Sequence, residues 1–179
     1  MLTINSTVLL IIDVQGKLAH LMFERESLFE NLEKLIKGAK ILEIPILWTE
    51  QCPQKIGPTI PQVSQLLTGV QPIPKINFSC CDNERFMQEL EALNRKQILI
   101  TGIEAHICIY QTTVDLVNSE YEVQVVADAV SSRKAENKKI VIENIKNIGA
   151  SLTSTEMALF ELLRVAKGPK FKEILNIVK

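Results

Sequence analysis

The apolar run at residues 8–12 restricts the fold more than any other feature of the sequence. It consists of five consecutive branched aliphatic residues, and Asp13 follows directly. A strand with one face in water would alternate apolar and polar residues, whereas this run has no alternation. It therefore predicts a strand that is buried on both faces, as in parallel sheets that are covered by helices.

Similar apolar runs alternate with helical patterns along the chain. Further strands are predicted at residues 45–49, 97–101, 122–127 and 150–152. Helices are predicted at 27–42, beginning with a Ser27-x-x-Glu30 capping box, and at 82–93, 107–117, 134–148, 153–166 and 171–178. This order predicts an α/β fold, a three-layer α/β/α arrangement with a mainly parallel central sheet, Rossmann-like and doubly wound. With 179 residues, the chain is expected to form a single domain over 1–179.

The segment at residues 50–76 interrupts this alternation. It carries five of the seven prolines and is predicted to be a long loop, which inside a compact domain is usually functional or disordered. In parallel sheets, ligand sites lie beyond the carboxyl ends of the strands. We therefore expect a site near Asp13, near the residues after Thr49, and near residues 102–108.

Charge and hydropathy exclude several classes of partner. Lys+Arg 20 against Asp+Glu 21 leaves a net charge of −1, which argues against nucleic acid as a partner, because binding phosphates needs a concentrated basic face. No apolar stretch approaches the roughly 20 residues needed to span a bilayer, and the run at 8–12 is too short for a signal-peptide core. A soluble, cytoplasmic protein with neither a nucleic-acid nor a membrane partner is expected.

Histidine is scarce, and this limits the available chemistry. With His20 and His106 alone, no His-rich metal motif exists, and no Gly-rich nucleotide motif or Gly-x-Ser-x-Gly elbow is present. No cofactor and no metal are therefore expected. The thiols form no Cys-x-x-Cys pair and are expected to be free; they are Cys52, Cys80, Cys81 and Cys108.

Three residues attract attention, although each also has an ordinary interpretation. Cys108 falls near a predicted helix start, where the dipole favours thiolate and free N–H groups bind an oxyanion, but a small core residue fits as well. Asp13 follows a buried strand, where partial loss of water makes a carboxylate a better base for a thiol. Its ordinary interpretation is a helix cap or an ion pair in a loop. Lys75 closes the proline-rich segment, and a single lysine is most often a solvated charge.

Four blocks in order resemble the isochorismatase-like cysteine hydrolases, which include nicotinamidases and carbamoylases. The blocks are Leu-Leu-Ile-Ile-Asp13-Val-Gln, Pro74-Lys75 followed by Phe78-Ser79, Gly102-Ile-Glu-Ala-His-Ile-Cys108, and Ala127-Asp128-Ala-Val-Ser-Ser-Arg133. They extend over roughly residues 7–165. The stretch from Thr49 to Thr59 and the ending Phe171-Lys-Glu-Ile are similar to the isochorismatase-domain-containing subgroup.

The resemblance implies a catalytic triad of Asp13, Lys75 and Cys108. In this scheme Asp13 takes the thiol proton, and the Lys75 ammonium holds the carboxylate and lowers the pKa of Cys108. The resemblance also implies a cis peptide bond between Ile103 and Glu104, and an oxyanion hole formed by the backbone N–H groups of Glu104 and Cys108.

The chain departs from the metal-binding members of this family. Nicotinamidases carry an Asp-x-His pattern after the second strand, where this sequence has Thr49-Glu50-Gln51, so a metal site is not expected. Gln51 and Trp48 are candidates for the substrate pocket, although Trp48 fits the core equally well. No role is assigned to Cys80 and Cys81.

The sequence thus predicts a metal-independent cysteine hydrolase that cleaves a C–N bond of a small amide or carbamoyl-type substrate through a covalent thioester-like intermediate. A second hypothesis is a catalytically weak binding or assembly protein of the same fold, and a third is hydrolysis of a vinyl ether such as that of isochorismate. A small-molecule substrate is expected, and so is a homo-oligomer, for which the amphipathic segment at 171–178 offers a surface.

Overall fold

A computed structural model describes all residues from 1 to 179, and its centre is one six-stranded sheet in which every pair of neighbours is parallel. The strands are β1 (Thr7–Ile12), β2 (Ile46–Gln51), β3 (Ile73–Lys75), β4 (Gln97–Ile103), β5 (Glu122–Ser131) and β6 (Ser151–Thr153). Their spatial order is β3-β2-β1-β4-β5-β6. The chain reverses its direction of growth between β1 and β4, which confirms the predicted doubly wound, Rossmann-like topology.

Nine helices surround the sheet. They are α1 (Gly16–Ala19), α2 (Arg25–Ile41), α3 (Pro53–Ile56), α4 (Pro61–Ser64), α5 (Glu84–Ala92), α6 (Tyr110–Asn118), α7 (Ala135–Ile145), α8 (Thr155–Leu163) and α9 (Pro169–Val178). A π-helical turn, Ala105–Ile109, leads into α6, and a 3₁₀ turn, Lys146–Ile148, extends α7. None of these helices combines the length and the apolar character that crossing a membrane requires.

The side chains of β1 divide between two separate cores. Leu9 and Ile11 pack with α2, α8 and α9, whereas Val8, Leu10 and Ile12 pack with α5, α6 and α7 on the opposite face. Since successive side chains of a strand point to opposite faces, a strand covered on both sides needs apolar residues throughout. The uninterrupted run at 8–12 therefore reflects the three-layer architecture.

Two helix termini match their sequence signals and one does not. Gly149 is left-handed at φ 89°, the conformation for which glycine is favoured after a helix, and the Ser154 hydroxyl caps α8 by accepting a hydrogen bond from Met157 N. The capping box at Ser27 is wrong, because α2 begins at Arg25 after a left-handed Glu24. The turn at Glu24 starts the helix two residues early and places Ser27 inside the first turn.

The buried face of α6 differs from the predicted one. Spacings of 3 and 4 from Ile107 onwards predict an apolar face ending at Val117. Residues of that face pack against the core but are only partly buried, and the fully buried side chains of α6 are Thr112, Thr113 and Leu116. The prediction assumed one continuous α-helix from residue 107. The π-helical turn inserts an extra residue before α6 and so rotates the helix that follows.

The proline-rich segment is more ordered than predicted. The strand β2 continues to Gln51, and β3 adds a short strand at the sheet edge, where Pro74 is tolerated because an edge strand needs no donor on its outer side. Glu50 holds the intervening segment, since its Oε1 accepts hydrogen bonds from Thr59 N at 2.7 Å and Thr59 Oγ1 at 2.8 Å. The two helices α3 and α4 occupy the remainder of this segment.

The C-terminal helix α9 uses its apolar face within the chain. Ile174 is fully buried, and Ile177 and Val178 pack against the same core, which also contains residues of α2 and α8. This face therefore does not offer the free assembly surface that the amphipathic pattern suggested.

We predict that Gly102→Ala destabilises the fold by about 3 kcal/mol, because overpacking adds to the cost of a left-handed backbone. Gly102 has φ +114°, and an added Cβ would lie 2.1 Å from the carbonyl oxygen of Ile12. The matched control is Gly69→Ala, where φ is +87° but no atom lies within 4 Å, so a loss of about 1 kcal/mol is expected. Urea unfolding midpoints compare the two variants, and equal losses would contradict the steric argument.

Candidate active site

Asp13 lies at the carboxyl end of β1, at the point where the strand order reverses. Its backbone is left-handed, with φ 54°, and its N–H donates to the carbonyl oxygen of Thr49 at 3.2 Å. The Thr49 hydroxyl also donates to Asp13 Oδ1 at 2.8 Å. Because only 3% of Asp13 is exposed, its carboxylate is held by protein groups and not by bulk water.

Lys75 closes β3, and its side chain is 0% exposed. Its Nζ lies 2.7 Å from Asp13 Oδ2, forming a buried ion pair. It also donates to Gln51 Oε1 at 2.7 Å and to the carbonyl oxygens of Asn77 at 3.0 Å and Phe78 at 3.2 Å. A buried ammonium is retained only when it is paired and hydrogen-bonded, and these contacts meet that requirement.

Cys108 lies in the π-helical turn that follows β4. Its Sγ is 3.7 Å from Lys75 Nζ, and 6% of the residue is exposed. Since β1 and β4 are adjacent parallel strands, their carboxyl ends bring Asp13 and Cys108 to the same edge of the sheet. The structure thus brings the three residues of the expected triad together, although they are far apart in sequence.

The Cys108 thiol is neutral in the resting protein. Burial is the main factor that raises its pKa to about 12; the Asp13 carboxylate raises it further, and the Lys75 ammonium only partly opposes the two. The expected thiolate, stabilised by a helix N-terminus and by Lys75, is therefore not the resting form. The site pairs an uncharged nucleophile with a carboxylate that can take up its proton.

Lys75 remains charged in this environment. Burial alone would lower its pKa, but the Asp13 carboxylate and the nearby groups of Cys80 and Cys108 outweigh that effect, so the pKa lies above its ordinary value. The ammonium therefore balances the one full negative charge at the centre of the site.

A small cavity of about 110 Å³ opens onto Cys108. Its lining contains two carboxylates and no lysine or arginine side chain, and Phe78 is its only exposed member. The lining residues are Asp13, Gln15, Leu18, Gln51, Ile56, Phe78, Ile103, Glu104, Ile107 and Cys108. Such a cavity suits a small, largely apolar molecule with a few polar atoms.

Glu104 follows β4, and the peptide bond between Ile103 and Glu104 is cis, as the resemblance implied. Its backbone N–H finds no acceptor within the chain. Its carboxylate accepts from Arg133 Nε at 2.8 Å and from Arg133 N at 3.2 Å, which fastens the end of β5 to the wall of the cavity. Glu104 therefore offers a free N–H donor next to the nucleophile.

The two suggested pocket residues lie in different places. Gln51 lines the cavity, but both ends of its amide are occupied: Oε1 accepts from Lys75, and Nε2 donates to the Ile76 carbonyl oxygen at 2.8 Å. Trp48 is buried in the core formed with α2, α8 and α9 and does not line the cavity. On β2 its side chain points to the face opposite to that of its neighbour Leu47.

Sequence reasoning missed the part played by Thr49 and gave Cys80 no role. The Thr49 hydroxyl contacts the Asp13 carboxylate, and the Cys80 thiol lies 3.9 Å from that hydroxyl. Burial raises the pKa of Cys80 to about 11 and that of Cys81 to about 12, so both thiols are neutral. A threonine at the end of a buried strand is common, and no local pattern distinguished this one.

Neither histidine forms a hydrogen bond or an ion pair with a residue of the triad. His20 is exposed and packs edge-on against Phe29, and His106 Nδ1 lies 3.0 Å from Ser132 Oγ. No group of three or more His, Cys, Asp or Glu side chains is arranged to hold a metal ion.

We predict that alkylation of Cys108 by iodoacetamide accelerates about tenfold per pH unit between about pH 7 and about pH 10 without a plateau, because the thiolate fraction keeps growing below its pKa of about 12. Peptide mass spectrometry measures the rate at this residue. The same protein in urea is the control, since an unfolded thiol levels off near its ordinary pKa of about 8.5. A plateau below about pH 9 in the folded protein would contradict the neutral resting thiol.

Comparison with known proteins places this chain in a family. The family model described as "Isochorismatase domain" matches residues 7–157. A secreted isochorismatase effector, Isc1, of Phytophthora sojae is 34% identical over 98% of this chain and 85% of its own. Isochorismatase domain-containing protein 2 of Danio rerio is 35% identical over 99% of this chain and 89% of its own.

Two solved structures share the fold. The MAR1 ribonuclease from Caenorhabditis elegans superposes with a TM-score of 0.93 at 31% identity, covering 99% of this chain and 91% of its own. The YcaC gene product from Escherichia coli, an octameric hydrolase of unknown specificity, gives a TM-score of 0.92 at 22% identity, over 98% of this chain and 88% of its own, and this likeness concerns the fold alone. By family match, sequence identity and fold, the chain belongs to the isochorismatase family.

Proposed function

We propose that the protein is a metal-independent cysteine hydrolase that cleaves a C–N bond of a small amide or carbamoyl-type substrate through a thioester-like intermediate. Asp13, Lys75 and Cys108 form its catalytic triad. The observation that carries the proposal is the buried 2.7 Å ion pair between Asp13 and Lys75, with the Cys108 Sγ 3.7 Å from the same ammonium at a small cavity.

In the first step the Cys108 S–H proton passes to Asp13 Oδ2 as the sulfur attacks the carbonyl carbon. Apart from Lys75, Oδ2 has no polar partner, so a lone pair remains available for the proton. A neutral thiol requires this general base, because its own ionisation is suppressed by burial. The C=O π electrons move to oxygen, and a tetrahedral oxyanion forms.

The backbone N–H groups of Glu104 and Cys108 are proposed to bind that oxyanion. The N–H of Glu104 is free of any acceptor in the chain, which suits a donor that awaits a developing charge. Collapse of the intermediate breaks the C–N bond, and the amine leaves with the proton held by Asp13. Water then loses a proton to Asp13 and attacks the thioester carbon. The C–S bond breaks, the acid leaves, and the proton returns from Asp13 to the Cys108 sulfur.

Lys75 supplies the charge balance for this sequence. When the proton moves to Asp13, negative charge shifts from the carboxylate towards sulfur, and the ammonium lies within 4 Å of both positions. In a buried site, a cation close to both the carboxylate and the sulfur stabilises the negative charge before and after the proton moves. It therefore lowers the barrier to this proton transfer. Gln51 is proposed to hold the Lys75 ammonium in place through its Oε1. The Gln51 residue also forms part of the wall of the cavity.

The lining of the cavity favours an uncharged substrate with an apolar acyl group. Isochorismate is a dianion, and the cavity offers it no free cation, because Lys75 is paired with Asp13 and Arg133 with Glu104. The lack of a free cation and the small volume of the cavity also disfavour RNA, although the C. elegans relative is named a ribonuclease. A neutral amide or carbamoyl compound meets neither obstacle.

Assembly and cellular location stay predictions. We still predict a homo-oligomer, because the E. coli protein of the same fold is octameric. The apolar face of α9 is not proposed as its contact surface, since it packs against the core of its own chain. The cytoplasmic location is also still a prediction, while one relative is a secreted effector.

A binding or assembly protein without turnover is the competing hypothesis, and the following experiment distinguishes it from a hydrolase.

A panel of small neutral amides and carbamoyl compounds, assayed by release of ammonia or amine, tests the proposal. We expect turnover of at least one member, lost in Cys108→Ala and reduced about 10³-fold in Asp13→Asn, because the thiol then lacks its base. Acid quenching and intact-protein mass spectrometry are expected to show an acyl adduct on Cys108.

Matched variants control for the loss of a thiol or a carboxylate as such. Cys81→Ala and Asp82→Asn lie outside the cavity and are expected to keep wild-type rates. Turnover that survives in Cys108→Ala would overturn the proposal. Absence of turnover across the panel, or cleavage of a labelled RNA oligonucleotide by the wild type but not by Cys108→Ala, would overturn the amide assignment.

A further inference from the structure

We infer that Thr49, backed by Cys80, is a positioning residue that sets which oxygen of Asp13 takes the nucleophile's proton. The inference rests on the proposed function, since it concerns the base of that reaction. It assigns a role to two buried groups that the triad leaves unexplained: the hydroxyl 2.8 Å from Asp13 Oδ1 and the thiol 3.9 Å from that hydroxyl.

Thr49 holds Asp13 at two points. Its carbonyl oxygen accepts from Asp13 N at 3.2 Å, and its hydroxyl donates to Asp13 Oδ1 at 2.8 Å. Neither residue is appreciably exposed, so water does not replace these bonds when the side chain turns. Both the backbone and the carboxylate of Asp13, the proposed base, are thus held by Thr49 on the neighbouring strand.

The direction of the Thr49 hydroxyl follows from its neighbours. A hydroxyl has one proton to give, and Asp13 Oδ1 can only accept, so Thr49 is the donor in that bond. The oxygen of Thr49 then remains an acceptor for the Cys80 thiol, which is neutral and still carries its proton. Cys80 is itself held by Thr112, whose Oγ1 accepts from Cys80 N at 2.9 Å.

The result is a directed chain of donors, from Cys80 S–H to Thr49 O–H to the carboxylate. It occupies Oδ1 with a hydrogen bond that favours the charged form and leaves Oδ2, beside Lys75, as the oxygen that faces the reaction. The charged or titratable groups that face Asp13 are Lys75 from β3, Cys108 from the π-helical turn and Cys80 from the segment after β3.

The test is Thr49→Val, which keeps the shape of the side chain and removes the hydroxyl. Without that donor the carboxylate holds a proton more readily, so we expect the acid limb of the pH profile of kcat/KM to move up by about 0.5–1 pH unit. We also expect the plateau to fall about tenfold, because the base loses its fixed orientation. Thr49→Ser, which restores the donor, is expected to recover both.

Two controls separate positioning from general damage to the sheet. Thr101→Val removes a buried hydroxyl on β4 that donates to the Leu10 carbonyl oxygen at 3.0 Å and not to Asp13, so its acid limb is expected to stay in place. Cys80→Ala removes the outer donor and is expected to move the limb in the same direction by a smaller amount. An unmoved limb in Thr49→Val, or equal shifts in Thr101→Val, would overturn the inference.

A second measurement needs no turnover, so that failure of the proposed function leaves the inference testable. The rate of Cys108 alkylation by iodoacetamide is compared in a double-mutant cycle of Thr49→Val and Asp13→Asn, restricted to variants whose circular dichroism is native. We expect Thr49→Val to change the rate at least about threefold with Asp13 present and to have no effect in the Asp13→Asn background. Equal effects in both backgrounds would show that Thr49 does not act through Asp13.

Discussion

The buried ion pair between Asp13 and Lys75 is the interaction on which the rest of the site depends. Neither charge has access to bulk water, so removing either partner leaves the other uncompensated, a change that ordinarily costs about 3–5 kcal/mol. The pair also joins β1 at the centre of the sheet to β3 at its edge. Among the surrounding polar groups, Thr49 donates to Oδ1 of Asp13, and Gln51 accepts from the Lys75 ammonium.

The protonation of Cys108 follows from the same pair. Burial is the main factor that raises the pKa of the thiol, and the Asp13 carboxylate opposes the lowering effect of the Lys75 ammonium. This differs from cysteine sites in which a histidine or a helix N-terminus keeps the sulfur ionised. Here the thiol, the carboxylate and the ammonium carry one negative and one positive charge in total, and movement of the proton redistributes that charge without creating more.

The sequence predicted the three layers and the mainly parallel sheet, because uninterrupted apolar runs arise only where both faces of a strand are covered. It also pointed to Asp13 and Cys108, since the carboxyl ends of neighbouring strands meet at one edge of the sheet. Lys75 followed from the family resemblance alone, because β3 is three residues long and contains Pro74, which hides its strand character. The buried face of α6 was mispredicted because a π-helical turn leaves no signature in an apolar pattern.

The strand β3 has a further consequence for how the protein loses its site. It is an edge strand of three residues that contains Pro74 and ends a segment of short helices, so it has few backbone hydrogen bonds to the sheet. Segments of this kind open locally at a lower free energy than a central strand such as β1. Opening there withdraws the only buried ammonium while the two cores remain intact. The site thus depends on a weakly held strand, and its inactivation is expected to be a local event that precedes unfolding of the domain.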